Sequence, residues 1–154
     1  MLTIACSDLS DARIIALLGQ HVGRARAETA PGSAHALDLD TLRGPDIRFL
    51  AAWDDTQLLG VGALRRLSRV HGEIKSMHTV EAARRRGVGG TILARLLDEA
   101  RSQGMMRVSL ETGSWDYFEP ARRFYRRRGF IDCPPFGDYR PDPNSVFMTL
   151  QLDP

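Results

Sequence analysis

The apolar positions of this chain follow two rhythms. Ile14, Ile15, Leu17, Leu18 and Val22 recur every three to four residues, as does the series Val88, Ile92, Leu93, Leu96, Leu97 and Ala100. Both series predict an apolar helix face. Short apolar runs bounded by Gly, Pro and Asp predict strands over residues 3–6, 47–53, 57–67, 70–80, 107–111, from 130 onward, and 145–152. Ser10 is placed to cap the first helix, with Asp11 in its first turn. Residues 29–36, which include Pro31-Gly32-Ser33, read as a loop. A short helix is predicted over 37–42, ended by Gly44-Pro45. Asp54-Asp55 supplies the turn of a hairpin, and Gly60 and Gly62 share one strand face, which permits a close neighbour there. A last helix is predicted over 116–128, with Pro120 in its first turn and Gly129 as its stop. Residues 133–143 hold too much proline for regular structure.

Three strands in a meander, a crossover helix and a further strand make a mixed α/β sheet. At 154 residues the chain reads as one domain spanning 1–154. No apolar run approaches the ~20 residues that span a bilayer, and no charged leader with an apolar stretch opens the chain, so a cytoplasmic protein is expected. Cys6 and Cys133 make neither a disulfide framework nor a metal quartet, and no metal is expected. The net charge of +2 is too small to argue for nucleic acid. The basic charge is nearly all arginine, concentrated in triplets at 84–86 and 126–128. The second triplet reads as solvated helix surface.

The first triplet opens the chain's most informative stretch, Arg84-Arg85-Arg86-Gly87-Val88-Gly89-Gly90-Thr91. It joins a predicted strand to a predicted helix. A glycine-rich turn there leaves backbone N–H groups converging, with the positive end of the helix dipole behind them, which suits a pyrophosphate. A dinucleotide fingerprint has a different glycine spacing. A Walker loop ends in Gly-Lys-Ser/Thr, and Gly89-Gly90-Thr91 has no lysine. The pattern Arg-x-x-Gly-x-Gly is met by Arg84, Gly87 and Gly89. A plain strand-turn-helix connection with an arginine-rich surface is the bland alternative.

That pattern resembles the pyrophosphate loop of the GNAT superfamily of acyl-CoA-dependent N-acetyltransferases. The predicted order β-α-α-β-β-β-α-β-α-β-β is similar to the same family's, as is Ala121-Arg122-Arg123-Phe124-Tyr125-Arg126-Arg127-Arg128-Gly129-Phe130 to its helix ending. The stretches Gly72-Glu73-Ile74-Lys75, Leu110-Glu111-Thr112-Gly113-Ser114 and Pro134-Pro135-Phe136-Gly137-Asp138-Tyr139 resemble a bacterial subgroup of YsnE-type proteins.

The resemblance implies acetyl-CoA as co-substrate and a splayed, mostly antiparallel sheet. It implies that Met77, His78 and Thr79 bind the pantetheine arm through their backbone, like an added strand. Arg85, Arg86, Gly87, Val88, Gly89 and Gly90, after Arg84, would cradle the pyrophosphate, and the Thr91 hydroxyl would add to them. Tyr125 would protonate the departing thiolate. An asparagine common in the family is replaced by Phe118, and a common proline by Glu81. The amine must lose a proton before attack, and a backbone N–H near Thr79 would meet the oxyanion. Glu73 and Glu111 are both candidates for the base, on neighbouring strands that splay; a water chain is the alternative. Trp115, Tyr117, Phe136 and Tyr139 are candidates for an aromatic acceptor rim, and Arg65 or Lys75 for holding a carboxylate. The acceptor expected is a small-molecule primary amine. Dimers are common in the family, which leaves a homodimer open. Two other classes compete: a non-catalytic acyl-CoA sensor, and an RNA-binding module built on the arginine triplets. The second lacks the aromatic motif of common RNA binders.

Overall fold

The computed structural model describes residues 1–27 and 39–153. The expected loop at 29–36 and the start of the expected second helix at 37 lie outside them. The chain runs β1 (Leu2–Cys6), α1 (Ala12–Ala27), α2 (Leu39–Leu42), β2 (Ile47–Asp54), β3 (Gln57–Arg66), β4 (His71–Thr79), α3 (Val88–Ser102), β5 (Arg107–Gly113), α4 (Glu119–Arg127), β6 (Ile131–Asp132) and β7 (Ser145–Gln151). This is the order expected from the sequence. The seven strands form one sheet, in the order β1-β2-β3-β4-β5-β7-β6. Every neighbouring pair is antiparallel except β4–β5.

Side-chain alternation along the strands divides the core into two layers. Ile74, Val108, Leu110 and Met148 face α3 and α4, where Ile92, Leu96, Tyr125 and Phe130 meet them. Val61, Ala63, Phe49 and Ala51 face α1, against Ile14, Leu17 and Leu18. Gly60 and Gly62 do permit the close approach their spacing suggests. A Cβ on Gly62 would lie 2.7 Å from Ile92 Cγ2, and one on Gly60 would lie 2.9 Å from the backbone oxygen of His78.

Three local expectations change. Helix α1 starts at Ala12, and Asp11, not Ser10, is its cap: Asp11 Oδ1 accepts the Arg13 N–H at 2.8 Å. Asp8 Oδ1 takes the Ser10 N–H at 3.0 Å, which keeps the chain in a turn for one more residue. The β2–β3 turn falls on Asp55 and Thr56, because Asp54 still pairs with Gln57. The helix expected over 116–128 divides into a 3₁₀ turn, Asp116–Phe118, and α4. Pro120 has no N–H to continue a helix from upstream, so the α-helix begins beside it.

The feature that positions the site is a fork in the sheet. β4 and β5 pair over only three positions, His71 with Arg107, Gly72 with Val108 and Glu73 with Ser109. Beyond Glu73, β4 stays with β3 and β5 stays with β7. A bulge in the β3–β4 ladder between Val61 and Ala63 accompanies Ser76, whose φ is +56°, and turns β4 away from β5.

Candidate active site

One wall of the fork is β4 beyond Glu73. Met77, His78 and Thr79 lie there, with Val61 and Gly60 of β3 opposite His78 and Thr79. The edge of β4 that β5 has left offers main-chain donors and acceptors along one line, which is what an extended amide-bearing arm binds. The Ser76 hydroxyl is buried in this stretch and finds no hydrogen-bond partner among the described residues.

The chain then makes a 3₁₀ turn, Glu81–Ala83, and enters α3 through Arg84 to Gly87. Gly87 occupies the left-handed region at φ +78°, where a glycine is unstrained. Arg85 sits at φ +65°, in the same region without that freedom. No side chain caps the α3 N-terminus, so its first N–H groups are presented to an anion by the helix end itself. Arg84, Arg85 and Arg86 are exposed, and Arg86 also reaches Asp54 at 3.7 Å. Val88 is buried and anchors the turn. The Thr91 hydroxyl donates to the Gly87 carbonyl at 2.9 Å, so its proton is engaged within the loop. Gly89 lies between Thr79 and Phe124, which brings the loop, β4 and α4 together.

The arginines of the second triplet are exposed, as the sequence reading has them, and Arg128 makes a further contact. Its guanidinium stacks over Phe124 at 3.8 Å from the ring centroid and lies against Gly90, 2.7 Å from where a Cβ would stand. It therefore belongs to the loop's surroundings while remaining exposed.

Tyr125 is buried on α4, edge-on to Phe124 and Phe130 at 5.1 and 5.5 Å between centroids. Burial pushes its phenol well above the usual range, with Arg128 opposing. The group is a proton donor and not an anion at neutral pH.

The carboxylates stand where the strands part, Glu73 on β4 and Glu111 on β5. Glu73 is the last β4 residue paired with β5 and is only 2% exposed. Its Oε2 accepts the Tyr139 O–H at 2.7 Å and lies 3.7 Å from Lys75 Nζ. Glu111 stands two residues past Ser109 on β5 and is half-buried. Tyr139 feels both: burial raises its phenol well above the ordinary range, Glu73 and Glu111 raise it further, and Arg65 opposes them. The fork thus gathers Glu73, Glu111, Tyr139, Arg65 and Lys75. Trp115 and Tyr117 are engaged elsewhere, Trp115 donating to Asn144 and Tyr117 packing edge-on against Phe118. Of the four aromatic residues expected at an acceptor rim, Phe136 and Tyr139 pack together, with ring centroids 5.2 Å apart.

The family model described as the acetyltransferase (GNAT) family matches residues 18–130. The chain belongs to the GNAT acetyltransferase family. It is 46% identical over 149 residues to an uncharacterised N-acetyltransferase, YsnE, of Bacillus subtilis (strain 168), covering 97% of this chain and 99% of the relative. It is 43% identical over 121 residues to the IAA acetyltransferase of Azospirillum brasilense, covering 78% of each. A solved structure from Klebsiella pneumoniae subsp. pneumoniae MGH 78578, classed with the acyl-CoA N-acyltransferases, superposes with a TM-score of 0.80 at 30% identity over 99% of both chains. The protein is a GNAT N-acetyltransferase that uses acetyl-CoA. No helix among its described residues is long and apolar enough to cross a membrane.

Two groupings in this GNAT chain escaped the sequence reading. Arg122 is buried and donates to the carbonyls of Gly113 and Trp115 at 2.6 and 3.0 Å and to Glu119 at 2.7 Å. It ties the end of β5 to α4. The Phe118 ring covers Gly113, where no Cβ would fit. The second grouping is a chain of hydroxyls: His71 Nε2 lies 2.7 Å from Ser109 Oγ, which donates to Thr149 Oγ1 at 2.9 Å, which donates to the Val108 carbonyl at 3.2 Å. Because the Ser109 proton is spent on Thr149, His71 must carry its proton on Nε2. Burial, then Arg107, lowers the His71 pKa. The network stitches β4, β5 and β7 just below the fork.

Proposed function

We propose that this enzyme acetylates a primary amine of a small molecule in the cytoplasm, by direct attack of the amine on acetyl-CoA in a ternary complex. The observation that carries the reading is the fork itself. It sets a glycine-lined helix start and the β4 edge that β5 leaves on one side, Glu111 on the other, and Glu73 where the two strands part.

In this reading Met77, His78 and Thr79 hold the pantetheine arm through their backbone. Arg84, Arg85, Arg86, Gly87, Val88, Gly89 and Gly90 surround the pyrophosphate, and Thr91 stiffens the loop. The acceptor arrives as an ammonium with a pKa near ~10 and has to lose a proton. Glu73 and Glu111 supply the basic side of the cleft, and Tyr125 protonates the thiolate. A small acceptor is supported by a relative named for its action on IAA, and by Lys75 and Arg65, which give the cleft cations for an acidic substituent.

Calorimetric titration with acetyl-CoA, with ATP and NAD as controls, tests the cofactor half. Release of free CoA across a screen of small primary amines tests the acceptor half. Binding of acetyl-CoA alone, followed by turnover with one amine class, is the expected result. No acetyl-CoA binding by the folded protein would refute the assignment of the loop.

A further inference from the structure

Glu73 is placed as a base but is sealed from the cleft. At 2% exposure it has almost no surface on which an incoming amine could land. Its Oε2 is reached instead by the Tyr139 hydroxyl, 2.7 Å away. Tyr139 is half-buried, so part of it is exposed where Glu73 is not. Its ring is fixed by Phe136 and Phe147, at 5.2 and 5.4 Å between centroids, and Phe136 is itself buried and packed against His71. A proline-rich loop thus delivers one phenol to one carboxylate and holds it there.

We propose that Tyr139 is the catalytic residue that takes the proton from the acceptor ammonium while passing its own proton to Glu73. This rests on the acetyl-transfer reading above. A phenol oxygen can accept one hydrogen bond while donating another, so the hydroxyl can meet an N–H on one side and hold Glu73 on the other.

The step balances without a tyrosinate. An ammonium N–H bond breaks as its proton joins the Tyr139 oxygen, and the Tyr139 proton moves to Glu73 Oε2. The phenol is neutral before and after, and Glu73 becomes the neutral acid. The amine lone pair forms the C–N bond to the thioester carbonyl, the C–S bond breaks, and the thiolate takes a proton from Tyr125. The attacking nitrogen returns one proton to Tyr125, and Glu73 returns its proton to solvent through Tyr139. Burial and the two carboxylates hold the Tyr139 proton tightly, which favours this paired exchange over prior ionisation. Among the described residues, the charged groups around the phenol include Glu73 and its neighbour Lys75 on β4, Glu111 on β5 and Arg65 on β3.

The test compares acceptors that do and do not need a base. Rates of CoA release are measured for the wild type, Tyr139→Phe, Glu73→Gln and the double variant. The acceptors are the best alkyl amine of the screen and hydroxylamine, which is already uncharged near neutral pH. With the alkyl amine, each single variant should lose roughly a hundredfold or more in kcat/KM, and the double variant should lose no more than either. With hydroxylamine all variants should stay within a few-fold of the wild type. Raising the pH toward the amine's own pKa should restore much of the Tyr139→Phe rate. Acetyl-CoA affinity should not change.

A Tyr139→Phe enzyme that keeps its alkyl-amine rate, or loses equally with both acceptors, overturns the relay, because a ring that only packs the loop would slow both alike. If Tyr125→Phe is impaired in the same assays, the relay fails alone and acetyl transfer stands. A wild type that binds acetyl-CoA but acetylates no amine overturns the acceptor assignment, and the relay with it.

Discussion

The Arg128 guanidinium lies over the Phe124 ring and against Gly90 at the start of α3, although 38 residues separate it from that glycine. The contact places a fixed cation from α4 beside the N–H groups that open α3. Arg128 also donates to the Phe124 carbonyl at 3.1 Å, which holds its direction.

Arg128→Ala should therefore weaken acetyl-CoA binding. A hydrogen bond to a charged group contributes about 1.5–3 kcal/mol, so Kd should rise roughly tenfold or more. Calorimetry at low and high salt checks this, and the variant should show the shallower salt dependence. An unchanged Kd would leave Arg128 as a helix-end residue only.

Gly62→Ala should destabilise the fold. The added methyl meets Met77 Sδ at 2.6 Å and Ile92 Cγ2 at 2.7 Å, and Ile92 is branched at Cβ and has little freedom to move aside. Overpacking of this kind costs about 1–3 kcal/mol. Gly19→Ala is the contrast. Gly19 lies inside α1 with none of the described residues within 4 Å of its would-be Cβ, and the change should stabilise by about 1 kcal/mol. Urea midpoints of the two variants should move in opposite directions.

His71 should make stability depend on acid. Burial and Arg107 depress its folded pKa, so below about 6.5 the unfolded chain binds a proton that the folded chain resists. Stability should fall as pH drops from there through the folded pKa. His71→Gln should flatten the curve in that window. Chemical denaturation at a series of pH values reads the effect, and equal slopes in both proteins would refute it.

Tyr125→Phe should separate chemistry from binding. Acid assistance contributes about 10²–10⁴-fold, so kcat should fall by about that factor while the acetyl-CoA Kd stays near the wild-type value. Because burial raises the phenol, the wild-type rate should show no decline from Tyr125 ionisation until pH is well above ~10. An alkaline limb near neutrality that vanishes in Tyr125→Phe would contradict this.

Much of this was readable from the chain. Helical spacing located α1 and α3, Gly129 marked the end of α4 at φ +95°, and Gly60 and Gly62 announced a face on which α3 could lie. The loop from Arg84 to Thr91 stood out because glycine and arginine together have few other uses. The misses are long-range. Nothing near Tyr139 in the sequence points to Glu73, 66 residues away. A triplet of arginines does not reveal which one will turn toward Gly90, since that depends on the phase of α4 against α3. Glu73 and Glu111 are both strand carboxylates in the sequence, and the burial of one against the partial exposure of the other shows only in the structure. The cap moved from Ser10 to Asp11 because Asp8 competed for the same backbone, a contest that propensity alone does not decide.

The three-position contact between β4 and β5 joins two plates with separate duties. One plate, β1 to β4, carries the strand edge that β5 leaves and that the proposed function gives to the acyl-CoA. The other, β5 to β7 with its proline-rich loop, carries Glu111, Phe136 and Tyr139. On the proposed reading of the site, changes confined to the loop and outer strands would alter the acceptor and leave the donor side in place.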